Sequence, residues 1–146
     1  MSAPRFHLSI PARDLALSLG WYERVLGCRA GRRSALAGIL DLGGHQLVLQ
    51  RVSGEPELDQ PGIYPRHFGL VFADLADWQL LRERIERLGE SFAVAPKCRY
   101  SGERLEHWTF FLKDPSANWL EFKHYHHPQA VLGCSDHSEV GDRELR

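Results

Sequence analysis

His7-Leu-Ser-Ile-Pro-Ala-Arg-Asp14-Leu-Ala-Leu-Ser-Leu-Gly-Trp-Tyr-Glu-Arg-Val25 is followed sixty residues later by His67-Phe-Gly-Leu-Val-Phe-Ala-Asp74-Leu-Ala-Asp-Trp-Gln-Leu-Leu-Arg-Glu-Arg-Ile85. In register, the two stretches share His, Asp, Leu, Ala, Glu and Arg, six identities in 19 positions. Leu8/Phe68, Ile10/Leu70 and Val25/Ile85 add apolar matches where a core-facing residue is needed, so the duplication carries a fold pattern as well as shared letters. Each copy opens on a histidine.

The local periodicities agree between copies. Phe6, Leu8 and Ile10 alternate with His7 and Ser9, the period of a strand that buries one face and turns His7 to the other. Asp14 then caps a helix with an apolar stripe at Leu15, Leu19, Tyr22 and Leu26, stopped by Gly27. Residues 36–42 and 46–52 read as strands joined at Gly43-Gly44. In the second copy Phe68, Leu70 and Phe72 alternate behind His67. A helix from Leu75 to Leu88 presents Trp78, Leu81, Ile85 and Leu88 before Gly89, and strands follow at 91–95, 107–112 and 119–125. Lys113-Asp114-Pro115-Ser116-Ala117-Asn118 turns the last pair. The expected fold is α+β: two tandem β-α-β-β-β modules, 5–52 and 66–125. Residues 1–125 make one domain, joined inside by a Pro/Gly-rich linker, 53–65. Residues 126–146 read as a loosely held tail.

With 146 residues, 43% apolar and 25% charged, the chain is long enough for one good core. A net charge of −1, with both signs interspersed, provides no basic stripe for nucleic acid and no polybasic patch for a membrane. The expected partner is a small-molecule substrate. Cys28, Cys98 and Cys134 lack metal or redox spacing, and no apolar run reaches spanning length, so a cytoplasmic protein with reduced thiols is expected.

Glu121 lies in Asn118-Trp119-Leu120-Glu121-Phe122, where Leu120 and Phe122 face the helices and Trp119, Glu121 and Lys123 the other side of the sheet. With His7 and His67 on equivalent first strands, Glu121 completes a two-histidine, one-carboxylate set. Such a set leaves positions open for water, substrate or dioxygen on Fe(II), and suits Mn(II), Ni(II) or Zn(II). The bland alternative is that these histidines only hydrogen-bond within a polar cleft.

These residues resemble the vicinal oxygen chelate superfamily, which includes glyoxalase I, extradiol dioxygenases and the fosfomycin- and bleomycin-resistance proteins. The resemblance covers residues 5–125. Its carriers are His7, the run from Asp14-Leu15 through Trp21-Tyr22 to Leu26-Gly27, His67-Phe68-Gly69-Leu70, and Lys113 through Phe122. Gly44-His45-Gln46 and Arg66-His67-Phe68-Gly69 are similar to the small predicted extradiol-type dioxygenases. The resemblance implies a curved mixed sheet with a metal-binding cleft, a divalent metal held by His7, His67 and Glu121, Fe(II) first, and a homodimer. The family draws ligands from the first and last strands of each module. The fourth such position holds Val48, which cannot bind a metal, so a three-ligand dioxygenase-like oxidoreductase or transferase is expected over a four-ligand glyoxalase-like lyase. The alternative from another class is sequestration of a small molecule, as in bleomycin resistance.

Ring cleavage also needs groups that move protons. The candidate catalytic residues are His45, Tyr100 and His107, with Glu106 and Tyr125 nearby. Extradiol enzymes place a tyrosine on the strand before the glutamate, whereas Thr109 and Phe111 stand on 107–112 here. His45 is either a base in the cleft or an exposed hairpin residue. Lys97, Arg99 and Arg104 are either a wall that holds an anionic substrate or solvated surface charge. Trp119 either lines the pocket or packs between modules, Trp21 and Tyr22 belong to the helix packing, and His124, His126 and His127 are poor catalytic candidates.

Overall fold

The computed structural model describes residues 2–54 and 60–141. The duplication is realised as two modules of one plan. The first is β1 (His7–Ala12), α1 (Leu15–Leu26), β2 (Arg29–Arg33), β3 (Ala37–Leu42) and β4 (His45–Arg51). The second is β5 (Phe68–Val71), α2 (Leu75–Arg87), β6 (Val94–Arg99), β7 (His107–Lys113) and β8 (Trp119–Tyr125), followed by a short 3-10 turn at Pro128–Ala130. The strands form two four-stranded sheets, ordered β1-β4-β3-β2 and β5-β8-β7-β6. In each, the first strand runs parallel to the last and the remaining pairs are antiparallel. The α+β plan of two tandem modules is thus as expected, each module building its own mixed sheet. The part of the linker at 55–59 and the tail from 142 onward lie outside the described residues.

Capping fixes α1. The Asp14 carboxylate accepts the Leu17 N–H at 3.0 Å, and Gly27 closes the helix in the left-handed region with φ 70°. Its equivalent Asp74 makes no side-chain cap bond. The buried stripe of α1 is Leu15, Ser18, Leu19, Trp21, Tyr22 and Val25, so Val25 rather than Leu26 closes it. On α2 only Trp78 and Ile85 are fully buried, and Leu88 lies beyond the last helical residue, 40% exposed. Arg29–Arg33 has no apolar alternation and is exposed throughout, yet it pairs with β3. The strand expected at 91–95 forms instead at Val94–Arg99, paired with β7 from Val94 onward with a break in register between Val94 and Lys97.

One core spans both modules, running from Leu15, Tyr22 and Leu47 to Trp78, Phe110 and Phe122. At roughly 1.5–3 kcal/mol for each large apolar side chain, this burial dominates cohesion. Polar bonds set the relative position of the modules. The Tyr22 hydroxyl donates to Asp114 at 2.7 Å, Asn118 Nδ2 to the Pro11 carbonyl at 3.0 Å, and the Arg13 N–H to Ser116 Oγ at 3.0 Å. Arg84 on α2 donates to the Arg24 and Val25 carbonyls, serving the C-terminal end of α1 where carbonyls lack helical partners.

The tail is better anchored than its composition suggests. The His126 N–H donates to the Glu106 carbonyl, Arg104 pairs with Asp136 at 2.8 Å, and the Tyr100 hydroxyl donates to the Gly141 carbonyl at 2.8 Å.

Candidate metal centre

Alternation along β8 buries Leu120 and Phe122 against the helices and directs Glu121 to the other face, where it remains only 5% exposed. β5 pairs with β8 so that Gly69 stands beside Glu121, and a Cβ at Gly69 would overlap the Glu121 carbonyl. Glycine is what lets the two strands approach this closely. His67, two residues earlier, then reaches Glu121 with Nε2 3.2 Å from Oε1.

Both side chains are held from behind. His67 Nδ1 donates to the Ile63 carbonyl at 2.6 Å, and that carbonyl is presented by a loop folded around Gln60. The Gln60 amide donates to the Gly62 and Arg66 carbonyls and accepts the Arg66 N–H. Thr109 Oγ1, fully buried on β7, donates to Glu121 Oε2 at 2.6 Å. Lys123 Nζ and Arg99 Nη1 each stand 3.7 Å from a Glu121 oxygen.

This geometry tests whether the residues fit a metal. Because the Ile63 carbonyl can only accept, His67 carries a proton on Nδ1. In the neutral ring, Nε2 then points a lone pair at a carboxylate oxygen, so something positive must lie between them. Without a metal it is a second proton: the hydrogen bond to Glu121 raises the His67 pKa, opposed by burial and assisted by Ile63. Burial works to raise the Glu121 pKa, but His67, Lys123 and Thr109 outweigh it and bring it to about 2. With a metal, the cation takes that place. A nitrogen and an oxygen 3.2 Å apart have the spacing of adjacent donors to one ion at about 2.1 Å. An imidazole oriented by a backbone carbonyl and a carboxylate fixed by a hydroxyl are the supports such ligands normally have. The pair fits.

His7 does not join the pair within the chain. Its Nδ1 lies 2.6 Å from Gln46 Oε1 on the open face of the first sheet, beside Val48 and the Arg32-Arg33 strand. Among the described residues, no three His, Cys, Asp or Glu groups gather to hold a metal. His7 opens β1 in the first sheet, whereas His67 directly precedes β5 and Glu121 lies on β8, both of the second.

The other candidates separate clearly. His107 is 3% exposed, donates from Nδ1 to the Leu105 carbonyl, and has no partner at Nε2 among the described residues. Burial lowers its pKa, with the charges of Lys123 and Arg99 adding to the effect, so it is neutral near pH 7. Its ring packs 4.7 Å from Tyr125 and 5.9 Å from Tyr100. Tyr100 itself spends its hydroxyl on the tail. His45 is elsewhere: exposed at the β3–β4 turn, its Nδ1 accepts the Phe6 N–H at 3.0 Å, a structural use. Of the three cations in 97–104, Arg99 reaches the site while Arg104 pairs with the tail. Trp119 and His67 line a cavity of about 480 Å³ bounded by Leu8–Pro11 of β1, so Trp119 is a pocket wall. Sequence reasoning missed Thr109, Gln60 and the Ile63 carbonyl.

A family model described as Glyoxalase/Bleomycin resistance protein/Dioxygenase superfamily matches residues 6–122. The chain belongs to this superfamily. A superfamily structure titled glyoxalase/bleomycin resistance protein/dioxygenase, from Alicyclobacillus acidocaldarius, is 38% identical with a TM-score of 0.81, over 88% of this chain and 96% of that one. A lactoylglutathione lyase from Agrobacterium tumefaciens is 18% identical with a TM-score of 0.63, over 85% of this chain and 94% of its own. The fosfomycin resistance protein FosX from Listeria monocytogenes is 14% identical with a TM-score of 0.64, over 89% and 99%. At those two identities the likeness is one of fold. Comparison with curated proteins returns no match. No helix among the described residues is long and apolar enough to cross a membrane.

Proposed function

We propose that this superfamily member is a metal-dependent enzyme whose site forms between two copies of the chain. His67 and Glu121 of one copy and His7 of the other would hold a divalent ion, Fe(II) first, with Mn(II), Ni(II) or Zn(II) as substitutes. The carrying observation is the apposition of His67 Nε2 and Glu121 Oε1 at 3.2 Å, each oriented from behind. The third ligand position then falls to an exposed histidine on an uncovered sheet face, which a second copy brings in most simply. When bound, the ion polarises adjacent oxygens of a small substrate and, as Fe(II), offers a place for dioxygen.

The remaining groups suit proton movement. His107, kept neutral by burial, has Nε2 available to take a proton. The Tyr125 hydroxyl accepts from Lys123 at 3.2 Å, which leaves its own proton to donate. A neutral base packed against a phenol near the ligand carboxylate suits a reaction that moves protons, as extradiol-type oxidation does. A sequestering protein is the second reading, supported by Lys123 and Arg99, which can neutralise Glu121 without metal.

Metal analysis of untagged protein separates the two. Stoichiometric metal lost on His67→Ala supports the enzyme; metal-free protein that still binds a ligand after that substitution supports sequestration. Oxygen uptake with a catechol panel then tests the dioxygenase reading, which fails if the iron-loaded protein consumes none. Subunit mixing tests the shared site: His7→Ala and Glu121→Gln each lose metal alone, and after exchange about a quarter of the sites return, because half the dimers are mixed and each mixed dimer has one intact set. No recovery refutes the shared site.

A further inference from the structure

The two sheets differ in what lies over the faces turned away from the helices. On the second, His107, Thr109, Phe111 and Glu121 are each at most 5% exposed. On the first, His7 and Ser9 of the matching face are exposed, and Ile39 and Gln46 are half-buried. Two segments outside the modules reach the second face. The linker brings the Ile63 carbonyl to His67 and sets the Tyr64 ring 6.0 Å from the imidazole. The tail brings Gly141, whose carbonyl accepts the Tyr100 hydroxyl at 2.8 Å, and a Cβ on Gly141 would stand 2.6 Å from the Tyr64 hydroxyl. Tyr100 in turn packs 5.9 Å from His107. Gly141 therefore rests on two tyrosines, and each tyrosine rests on a histidine of the site.

Little holds the tail there. Of residues 126–141 only Ala130, Cys134 and Gly141 are even half-buried, and Leu132 and Val140 are 97% and 83% exposed. Regular structure among them amounts to one 3-10 turn. The Arg104–Asp136 pair is more than half exposed on both sides, so solvent takes most of its worth. A segment with so few buried apolar contacts opens at a small fraction of the cost of global unfolding. The strands beneath it carry the core at Phe110, Leu112, Leu120 and Phe122, and open only with the whole fold.

We propose that residues 126–141 form a strap over the His67–Glu121 face, latched where Tyr100 and Tyr64 meet Gly141, and that the strap lifts to let a substrate reach the site. The strap stands on these contacts; its role as the substrate's gate rests on the function proposed above. Glycine suits the latch, because a φ of 77° and the nearness of Tyr64 leave no room for a side chain.

The test is histidine labelling of the full-length protein with diethyl pyrocarbonate, read residue by residue by mass spectrometry. His7 and His45, exposed on the first module, are internal references. His107 in the wild-type protein should label far more slowly than either. Tyr100→Phe keeps the ring beside His107 and removes the hydroxyl, while Gly141→Ala pushes the tail off Tyr64. Loss of one ordinary hydrogen bond should make opening, and with it His107 labelling, roughly 2- to 10-fold faster, with the His7 and His45 rates and the melting temperature unchanged. Unchanged His107 labelling in both variants, or a rise matched at His7 and His45, overturns the strap. Mn(II) release to excess chelator should quicken by a similar factor in both variants, and unchanged release overturns the gate. No Mn(II) binding in any of the three proteins overturns the metal centre and with it the gate, while labelling still decides the strap.

Discussion

Thr109→Val replaces one buried side chain by another of nearly the same shape and deletes a single atom's function. In the wild-type protein Thr109 Oγ1 donates at 2.6 Å to Glu121 Oε2, while Oε1 faces His67. Both groups are buried, so water does not stand in for the lost donor. A hydrogen bond to a charged group is worth about 1.5–3 kcal/mol, and a buried acceptor left short of a partner costs in the same range. In binding terms that is roughly a 10- to 100-fold loss of metal affinity, the magnitude found when groups that orient metal ligands are removed. The assay is Mn(II) titration of Thr109→Val, Thr109→Ser and wild type. The serine variant keeps the hydroxyl and should bind within a fewfold of wild type, while the valine variant should fall by at least about tenfold. The valine variant should also melt lower, since 2 kcal/mol corresponds to about 4–8 °C in a chain of this size. Unchanged Mn(II) affinity in a folded Thr109→Val would refute the idea that the β7 hydroxyl positions the carboxylate.

Gly69→Ala places a methyl group against the Glu121 carbonyl, so β5 must move away from β8; we expect a loss of about 2–4 kcal/mol in denaturant unfolding and weakened Mn(II) binding together. Tyr22→Phe removes the buried donor to Asp114 and should cost about 1–2 kcal/mol, read as a lower melting temperature. Glu121 sets an acid limb. Its folded pKa is about 2 against an ordinary 4.5, so its contribution is present above pH 4.5 and lost as pH falls toward 2. Chemical denaturation across that window should show Glu121→Gln with a flatter dependence on pH than wild type.

The parts of the molecule legible in its sequence are those where one strand or helix decides its own fate. The alternation Leu120-Glu121-Phe122 turns Glu121 away from the core whatever surrounds it, and Asp14 and Gly27 bound α1 through their own torsions and caps. Elements decided by neighbours were not legible. Arg29–Arg33 has no strand pattern of its own and is a strand because β3 offers it an edge. Phe92 and Val94 alternate as a strand would, but β6 is set by where β7 offers partners, from Val94 to Arg99, whose guanidinium reaches Glu121. The support for His67 is a backbone carbonyl, and a carbonyl leaves no mark in a sequence. Thr109 looked like the absence of a catalytic phenol, whereas its hydroxyl serves as an anchor. His7 was legible as a ligand type, but the strand it stands on belongs to a different sheet from the pair it would complete.

The bonds from Tyr22, Pro11 and Arg13 to the 114–118 turn, with Arg84 on the end of α1, mean that the modules hold each other without help from the chain between them. The joint does not run through the linker, whose residues 60–63 serve instead to hold His67. A chain nicked between the modules would remain one particle, and a gene with its halves in reverse order would encode the same body. In a duplicated protein this leaves each half free to drift in chemistry while the joint alone enforces their partnership, which is how one half keeps Glu121 while the other carries Val48 at the matching place.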